Sequence, residues 1–224
     1  FWAANGRRLV DFSLRRTHGI DAGMIASRSS YIAGFTSTSN VLAGRDFGIP
    51  ITGTMAHSYV ASFENEIDSF RAFSQHFPDD TVLLLDTYDT LRAAHKAVAV
   101  AMEMESRGQR MIGVRIDSGD LINLSIAVRE IFDRAGLTYL SILASGGLDE
   151  KKIEKIVNSS APVDAFGVGT QVGISGDVPS LNMAYKLVRY GGRSVMKLSS
   201  SKQSLPNEKQ VFRFYGTDGD MVRD

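Results

Sequence analysis

Stretches with strand character alternate with amphipathic, helix-like stretches through the first 168 residues, and few folds accept that order. The strand-like runs cover 9–14, 33–35, 49–53, 81–85, a buried run around Val114, 139–144 and 164–168. Between them, 21–31 is helical, Asn40 stands where it can cap a short helix running to Arg45, and Val60, Phe63, Ile67 and Phe70 recur at the spacing of one long amphipathic helix. Leu91, Ala94, Val98 and Met102 define a further helical face closed by Arg107-Gly108. Leu121, Leu124, Val128 and Ile131 define another, stopped at Ala135-Gly136, and 149–157 forms a shorter helix. Strand, helix, strand in this rhythm means parallel strands joined by right-handed crossovers. Seven such strands favour a barrel-like α/β body over an open sheet.

After Gly176 the texture changes. Residues 183–188, 194–198 and 210–215 read as antiparallel strands, separated by Gly191-Gly192 and by the polar stretch 199–209. A boundary near 190 is therefore expected, with an α/β catalytic domain over 1–190 and the start of a second, β-rich domain over 191–224. The chain opens on Phe1 and stops at Asp224 in mid-pattern, so it reads as a fragment of a longer polypeptide whose tail exposes an apolar patch.

Lys+Arg 25 balances Asp+Glu 25, and a net charge of +0 argues against a general nucleic-acid binder, which needs excess base to neutralise phosphates. With no cysteine, disulfides and thiolate metal sites are excluded, and a cytoplasmic setting fits. No apolar run approaches the roughly 20 residues of a membrane span, and no signal-peptide pattern opens the chain.

Chemistry in α/β proteins collects at the carboxyl ends of the strands, and here each end carries polar residues or glycine. Phe12 and Arg15-Arg16 follow the first strand, Thr38-Ser39-Asn40 the second, Gly53-Thr54 and His57 the third, and Asp86 and Asp89 the fourth. Arg115 and Asp117 lie at the fifth, Ser145-Gly146-Gly147 at the sixth and Gly167-Val168-Gly169-Thr170 at the seventh. Two residues apart on a strand, Arg115 and Asp117 face the same side. A fixed arginine beside a carboxylate suits a ligand carrying phosphate together with a divalent cation or hydroxyls, with a structural ion pair as the alternative. Glycine turns at consecutive strand ends can aim bare N–H groups at one phosphate, although turns use glycine for conformational reasons too. No lysine stands at a strand end, which speaks against a Schiff-base aldolase.

These residues resemble a known family, the nicotinate phosphoribosyltransferases. The likeness rests on Asp11-Phe12-Ser13-Leu14-Arg15-Arg16, the run Ser37 to Gly44, Gly53-Thr54-Met55-Ala56-His57-Ser58 and Leu85-Asp86-Thr87-Tyr88-Asp89-Thr90. It continues through Gly113 to Leu121, Asp164 to Thr170 and Met196-Lys197-Leu198-Ser199. Ser13 departs from the Gly of many relatives. The resemblance implies an incomplete (β/α) barrel of the type II phosphoribosyltransferase kind, packed on a second, mainly β domain built from both chain ends, and a homodimer with sites at the subunit boundary.

The implied reaction joins nicotinate to phosphoribosyl pyrophosphate, giving nicotinate mononucleotide and pyrophosphate for NAD biosynthesis by salvage. It is coupled to ATP as co-substrate through a phosphohistidine. By similarity, Phe12 stacks on the pyridine ring, Arg15 binds phosphate oxygens with Arg16 and His18 beside it, and Arg115 with Asp117 holds ribose and pyrophosphate. Ser39 lies at the pyridine, Gly146, Gly147, Gly169 and Thr170 receive the 5′-phosphate, and Thr38 and Ser145 are further substrate-binding residues. Mg²⁺ is implied as a bridge across the pyrophosphate, with no certain protein ligand and Asp117 as the candidate. His57 is the implied phosphorylation site, oriented by Asp86; outside the resemblance, a lone histidine before a helix is an ordinary cap or core residue. His76 and His95 sit on expected solvent faces. The rivals are a nicotinamide or quinolinate phosphoribosyltransferase, and a non-catalytic nucleotide-binding module.

Overall fold

The computed structural model describes residues 1–174, 185–199 and 202–223. Its body runs β1 (Arg8–Asp11), α1 (Ile20–Ile32), β2 (Ser37–Thr38), α2 (Val41–Phe47), α3 (His57–Ser62), α4 (Glu66–His76), β3 (Val82–Leu84) and α5 (Thr90–Ser106). It continues with β4 (Gly113–Ile116), α6 (Leu121–Arg134), β5 (Ser141–Ser145), α7 (Glu150–Asn158), β6 (Ala165–Val168) and α8 (Thr170–Gly173). The six strands form one parallel sheet in the order β2-β1-β6-β5-β4-β3. A parallel bridge from Thr38 to Ile51 adds a seventh position beyond β2. The sheet is not closed among the described residues, so the expected incomplete α/β barrel is what forms.

Several expected boundaries shift for local reasons. The run placed at 33–35 belongs to the exit from α1, where Gly34 takes φ +105 and Phe35 N–H returns to Ser30 O; the ladder begins when Thr36 N–H meets Leu9 O at 2.8 Å. The run at 49–53 contributes only the bridge at Ile51. The single long helix expected after His57 is two helices, because Phe63 and Asn65 are extended and break the helical path between α3 and α4. On α5 the buried face is Ala93, Ala94, Ala97, Val100, Ala101 and Met104, whereas Leu91 and Met102 are exposed. Small side chains let this helix approach its neighbours closely, so the larger residues turn outward.

Two apolar clusters hold the layers. One joins Phe70, Leu83, Leu84, Leu85, Val100, Met104, Val114, Val128 and Phe132 across α4, α5, α6 and the β3–β4 strands. The other gathers Leu9, Leu148, Ile153, Ile156 and Phe166 under α7. Gly113 lies so close to β5 that a Cβ there would collide with the Ser141 carbonyl. Among the described residues no helix is long and apolar enough to cross a membrane.

Beyond the sheet, the expected antiparallel character appears as short pairs at other places than 194–198 and 210–215: β7 (Arg189–Tyr190) with β8 (Arg193–Ser194), β9 (Leu198–Ser199) with β10 (Lys202–Gln203), and β11 (Phe214–Tyr215) with β12 (Met221–Arg223). Gly191 and Gly192, both at positive φ, make the first turn. Of the strand expected at 183–188, residues 183 and 184 lie outside the described residues, and 185–188 are not a strand. The tail exposes Val211, Phe212, Phe214, Tyr215, Met221 and Val222.

Candidate active site

The carboxyl ends of the strands open onto one cavity of about 1130 Å³. Its wall includes Phe12, Arg15, Arg16, Ser39, Thr54, His57, Arg115, Asp117, Ser145, Gly146, Gly147, Gly169 and Thr170, so most residues singled out in the sequence converge there. The parallel register explains this: every strand ends on the same side, and each following loop begins at that rim.

Arg115 is the hub. Its Nη2 donates to Asp117 Oδ1 at 2.9 Å, its Nε to Ser145 Oγ at 2.8 Å and its Nη1 to Thr54 Oγ1 at 2.7 Å. Ser145 Oγ in turn donates to Asp117 Oδ1 at 2.7 Å. The guanidinium also stands 5.4 Å from the centre of the Phe12 ring. Phe12 lies against β6, where Gly167 leaves the room: a Cβ there would overlap the ring edge. The platform therefore depends on a glycine whose role the turn reading did not identify.

His57 opens α3 and is mostly buried. Its Nδ1 lies 3.1 Å from Thr87 Oγ1, and its Nε2 lies 2.6 Å from Lys197 Nζ, 3.6 Å from Asp117 Oδ2 and 4.0 Å from Asp86 Oδ1. Burial lowers the imidazole pKa below its ordinary value; the hydrogen bond and charge of Asp117 and the charge of Asp86 oppose this, and Lys197 adds to it. Asp86 does not orient the ring by a hydrogen bond, contrary to expectation. Its Oδ2 accepts from Ser118 Oγ and, at 3.2 Å, from Lys197 Nζ, while Thr87 does the orienting.

Lys197 is the residue the strand-end reading missed. It comes from the tail, where Leu198 N–H donates to Thr87 O at 3.1 Å and Lys197 N–H to Ser204 Oγ at 2.9 Å, and its side chain is 3% exposed. Its presence in the quoted Met196-Lys197-Leu198-Ser199 run was the only available signal.

Three expected residues do not reach the cavity wall: Asp86, buried behind His57 and Lys197, and two others. His18 lies exposed on the loop before α1, and Thr38 is buried with its hydroxyl committed to Asp11 Oδ2 at 2.7 Å. Ser39 does line the cavity and is not the helix cap: Asn40 caps α2, accepting Ala43 N–H at 3.1 Å. Arg15 is held below the usual arginine pKa by partial burial and then by neighbouring Arg16. The exposed His76 and His95 lie away from the site.

His57, Asp86 and Asp117 offer ligand atoms within 4.8 Å of one another. Asp86 Oδ1 is buried without a hydrogen-bond partner, which fits a cation, yet the Lys197 ammonium already occupies this space. Of the three, His57 and Asp117 line the cavity, and Asp117 is the hard oxygen donor that a divalent cation would use there.

Comparison with known proteins agrees with this arrangement. Residues 7–213 match the model of the Nicotinate phosphoribosyltransferase (NAPRTase) family. The chain is 49% identical over 211 residues to a nicotinate phosphoribosyltransferase of Mycobacterium tuberculosis, covering 94% of this chain and 45% of the relative. It is 39% identical to the Bacillus subtilis enzyme of that name over 225 residues, covering 95% and 46%. The crystal structure of human nicotinic acid phosphoribosyltransferase superposes with a TM-score of 0.70 at 31% identity, covering 98% of this chain and 52% of that one. The chain thus spans about half the length of these relatives. With the motifs in order, the strand-end cavity formed and nearly the whole chain matched, the chain belongs to the nicotinate phosphoribosyltransferase family.

Proposed function

We propose that the protein containing this chain transfers phosphoribosyl from phosphoribosyl pyrophosphate to nicotinate, releasing nicotinate mononucleotide and pyrophosphate in NAD salvage. The observation that carries this reading is the convergence of Phe12, Arg115, Asp117 and the two glycine turns on one cavity with His57 and Lys197. The pyridine nitrogen attacks the anomeric carbon, the carbon–oxygen bond to pyrophosphate breaks, and its electron pair leaves with the pyrophosphate. Developing positive charge on ribose and negative charge on the leaving group are what the site must hold. Phe12 offers its aromatic face to the pyridine ring, Arg15 faces phosphate oxygens, and Arg115 with Asp117 holds ribose and the leaving pyrophosphate. Gly146, Gly147, Gly169 and Thr170 line the end of the cavity suited to the 5′-phosphate. Asp117 would hold a Mg²⁺ ion, which would supply charge neutralisation for the leaving group.

ATP coupling runs through His57. The Lys197 ammonium can only donate, so Nε2 carries the lone pair and Nδ1 the hydrogen facing Thr87 Oγ1, and burial favours the neutral, nucleophilic ring. Nε2 attacks the γ-phosphorus of ATP and ADP leaves; the Lys197 ammonium at that nitrogen moves onto the phosphoryl oxygens. The assembly is read as a cytoplasmic homodimer. The test is turnover of nicotinate, nicotinamide and quinolinate by the full-length protein with Mg²⁺, with and without ATP. Selective, ATP-enhanced use of nicotinate supports the reading. Preference for either other pyridine, or binding of phosphoribosyl pyrophosphate without turnover, overturns it.

A further inference from the structure

Asp11 is the end residue of β1 and is 1% exposed, and no basic side chain pairs with it among the described residues. Both carboxylate oxygens are used. Oδ1 accepts Ser13 N–H at 2.8 Å, which pins the turn that starts at Phe12 and carries Arg15 and Arg16. Oδ2 accepts the Thr38 hydroxyl at 2.7 Å, and Thr38 Oγ1 accepts Asn40 N–H at 3.0 Å. The backbone repeats the link, since Ser39 N–H donates to Asp11 O at 2.9 Å. Beneath this, Ser27 Oγ lies 3.2 Å from Thr38 Oγ1 and 3.3 Å from Asn40 Nδ2. One side chain thus ties the loop bearing the Phe12 ring to the loop bearing the Ser39 hydroxyl, and both loops line the cavity.

A buried carboxylate without a cation is an expensive way to hold two loops unless its strong acceptance of hydrogen bonds is needed to fix them. We infer that Asp11 is a positioning residue that sets the spacing between the Phe12 ring and Ser39, and through it the affinity for the pyridine substrate. Asp11 touches no substrate itself; it fixes the width of the slot. This inference rests on the nicotinate reading for its kinetic consequence and on the hydrogen-bond geometry alone for its structural one.

The experiment compares the full-length protein with its Asp11→Asn, Thr38→Val and Asp11→Asn/Thr38→Val variants. Asparagine keeps an acceptor for Ser13 N–H but replaces the acceptor of the Thr38 hydroxyl by an NH₂, and valine removes the same bond from the other side. A charge-assisted hydrogen bond lost from such a tie predicts a rise of about tenfold in KM for nicotinate. The rise exceeds any change in KM for phosphoribosyl pyrophosphate, and the double variant is no worse than the singles. Unchanged KM for nicotinate with lowered Tm or active fraction, or additive effects in the double variant, overturns the inference by reducing Asp11 to a packing role. A crystal structure of Asp11→Asn gives a readout independent of turnover. Altered Phe12-to-Ser39 separation supports the inference even where the wild type proves not to use nicotinate, and superposable loops overturn it.

Discussion

Replacing Lys197 by methionine removes a cation from a buried cluster while keeping the length of the side chain. The ammonium lies 3.2 Å from Asp86 Oδ2, and both side chains are almost fully buried. At that separation the attraction is on the order of 5 kcal/mol at an effective dielectric near 20. Part of it is offset in the wild type by desolvation of the two charges, but the single variant leaves Asp86 buried with Ser118 as its one side-chain donor among the described residues, and breaking such a pair costs about 3–5 kcal/mol. Lys197→Met should therefore lower unfolding stability by about 3 kcal/mol, measured by urea denaturation of the full-length protein. Lys197→Met/Asp86→Asn should recover most of that, since neither charge then remains. Lys197 also depresses the His57 pKa, so the imidazole should titrate at higher pH in the single variant, read by NMR. A loss below about 1 kcal/mol with no rescue in the double variant, together with an unmoved His57 titration, would refute the packing of the tail onto the site.

His57→Ala should abolish ATP hydrolysis and the ATP-dependent gain in affinity while leaving slow basal transfer, as measured by steady-state kinetics with and without ATP; an undiminished ATP effect would sink the assignment. Because burial lowers the folded-state imidazole pKa, the unfolded chain takes up a proton more readily once the pH falls through its value near 6.5. Stability from this group is therefore full above that pH and declines on acidification, and His57→Asn should flatten that limb of the curve. Ser39→Asp would set a carboxylate at the cavity wall facing the nicotinate carboxylate; kcat/KM for nicotinate should fall and that for nicotinamide rise severalfold, and an unchanged ratio would show that Ser39 does not read the substrate. Gly113→Ala forces a methyl into the Ser141 carbonyl and should destabilise by the upper part of the roughly 1–3 kcal/mol typical of overpacking, seen as a fall in urea midpoint.

How much of this was legible in the sequence depended on whether a residue's role is local. Arg115 and Asp117 could be paired from two-residue strand periodicity, and the glycine turns could be placed at strand ends, because parallel topology brings all such ends together. Lys197 could not be placed this way: it enters from a segment outside the alternation, through a backbone bond from Leu198 to Thr87 that no periodicity encodes. The core face of α5 was misread because alanine carries little hydrophobic signal while allowing the closest approach. Thr38 and Asp11 show a further limit. A polar residue at a strand end looks the same in sequence whether it faces the ligand or, as these two do, faces its neighbour.

Gly167 gives the ring platform an unusual dependency. The height of Phe12 above the sheet is set by what its neighbouring strand lacks, since any side chain at 167 would have to displace the aromatic face. The position of the ring is thus inherited from β6 and the ring itself from the end of β1, so neither strand alone can redefine this wall of the cavity. Substitutions at Phe12 that preserve a flat ring keep the floor where it is, whereas enlargement of Gly167 raises the floor for every ring placed there. On the opposite wall Ser39 N–H and the Thr38 hydroxyl both return to Asp11, so a shift of that loop is passed to β1, and the wall is altered with least disturbance by exchanging the Ser39 side chain itself.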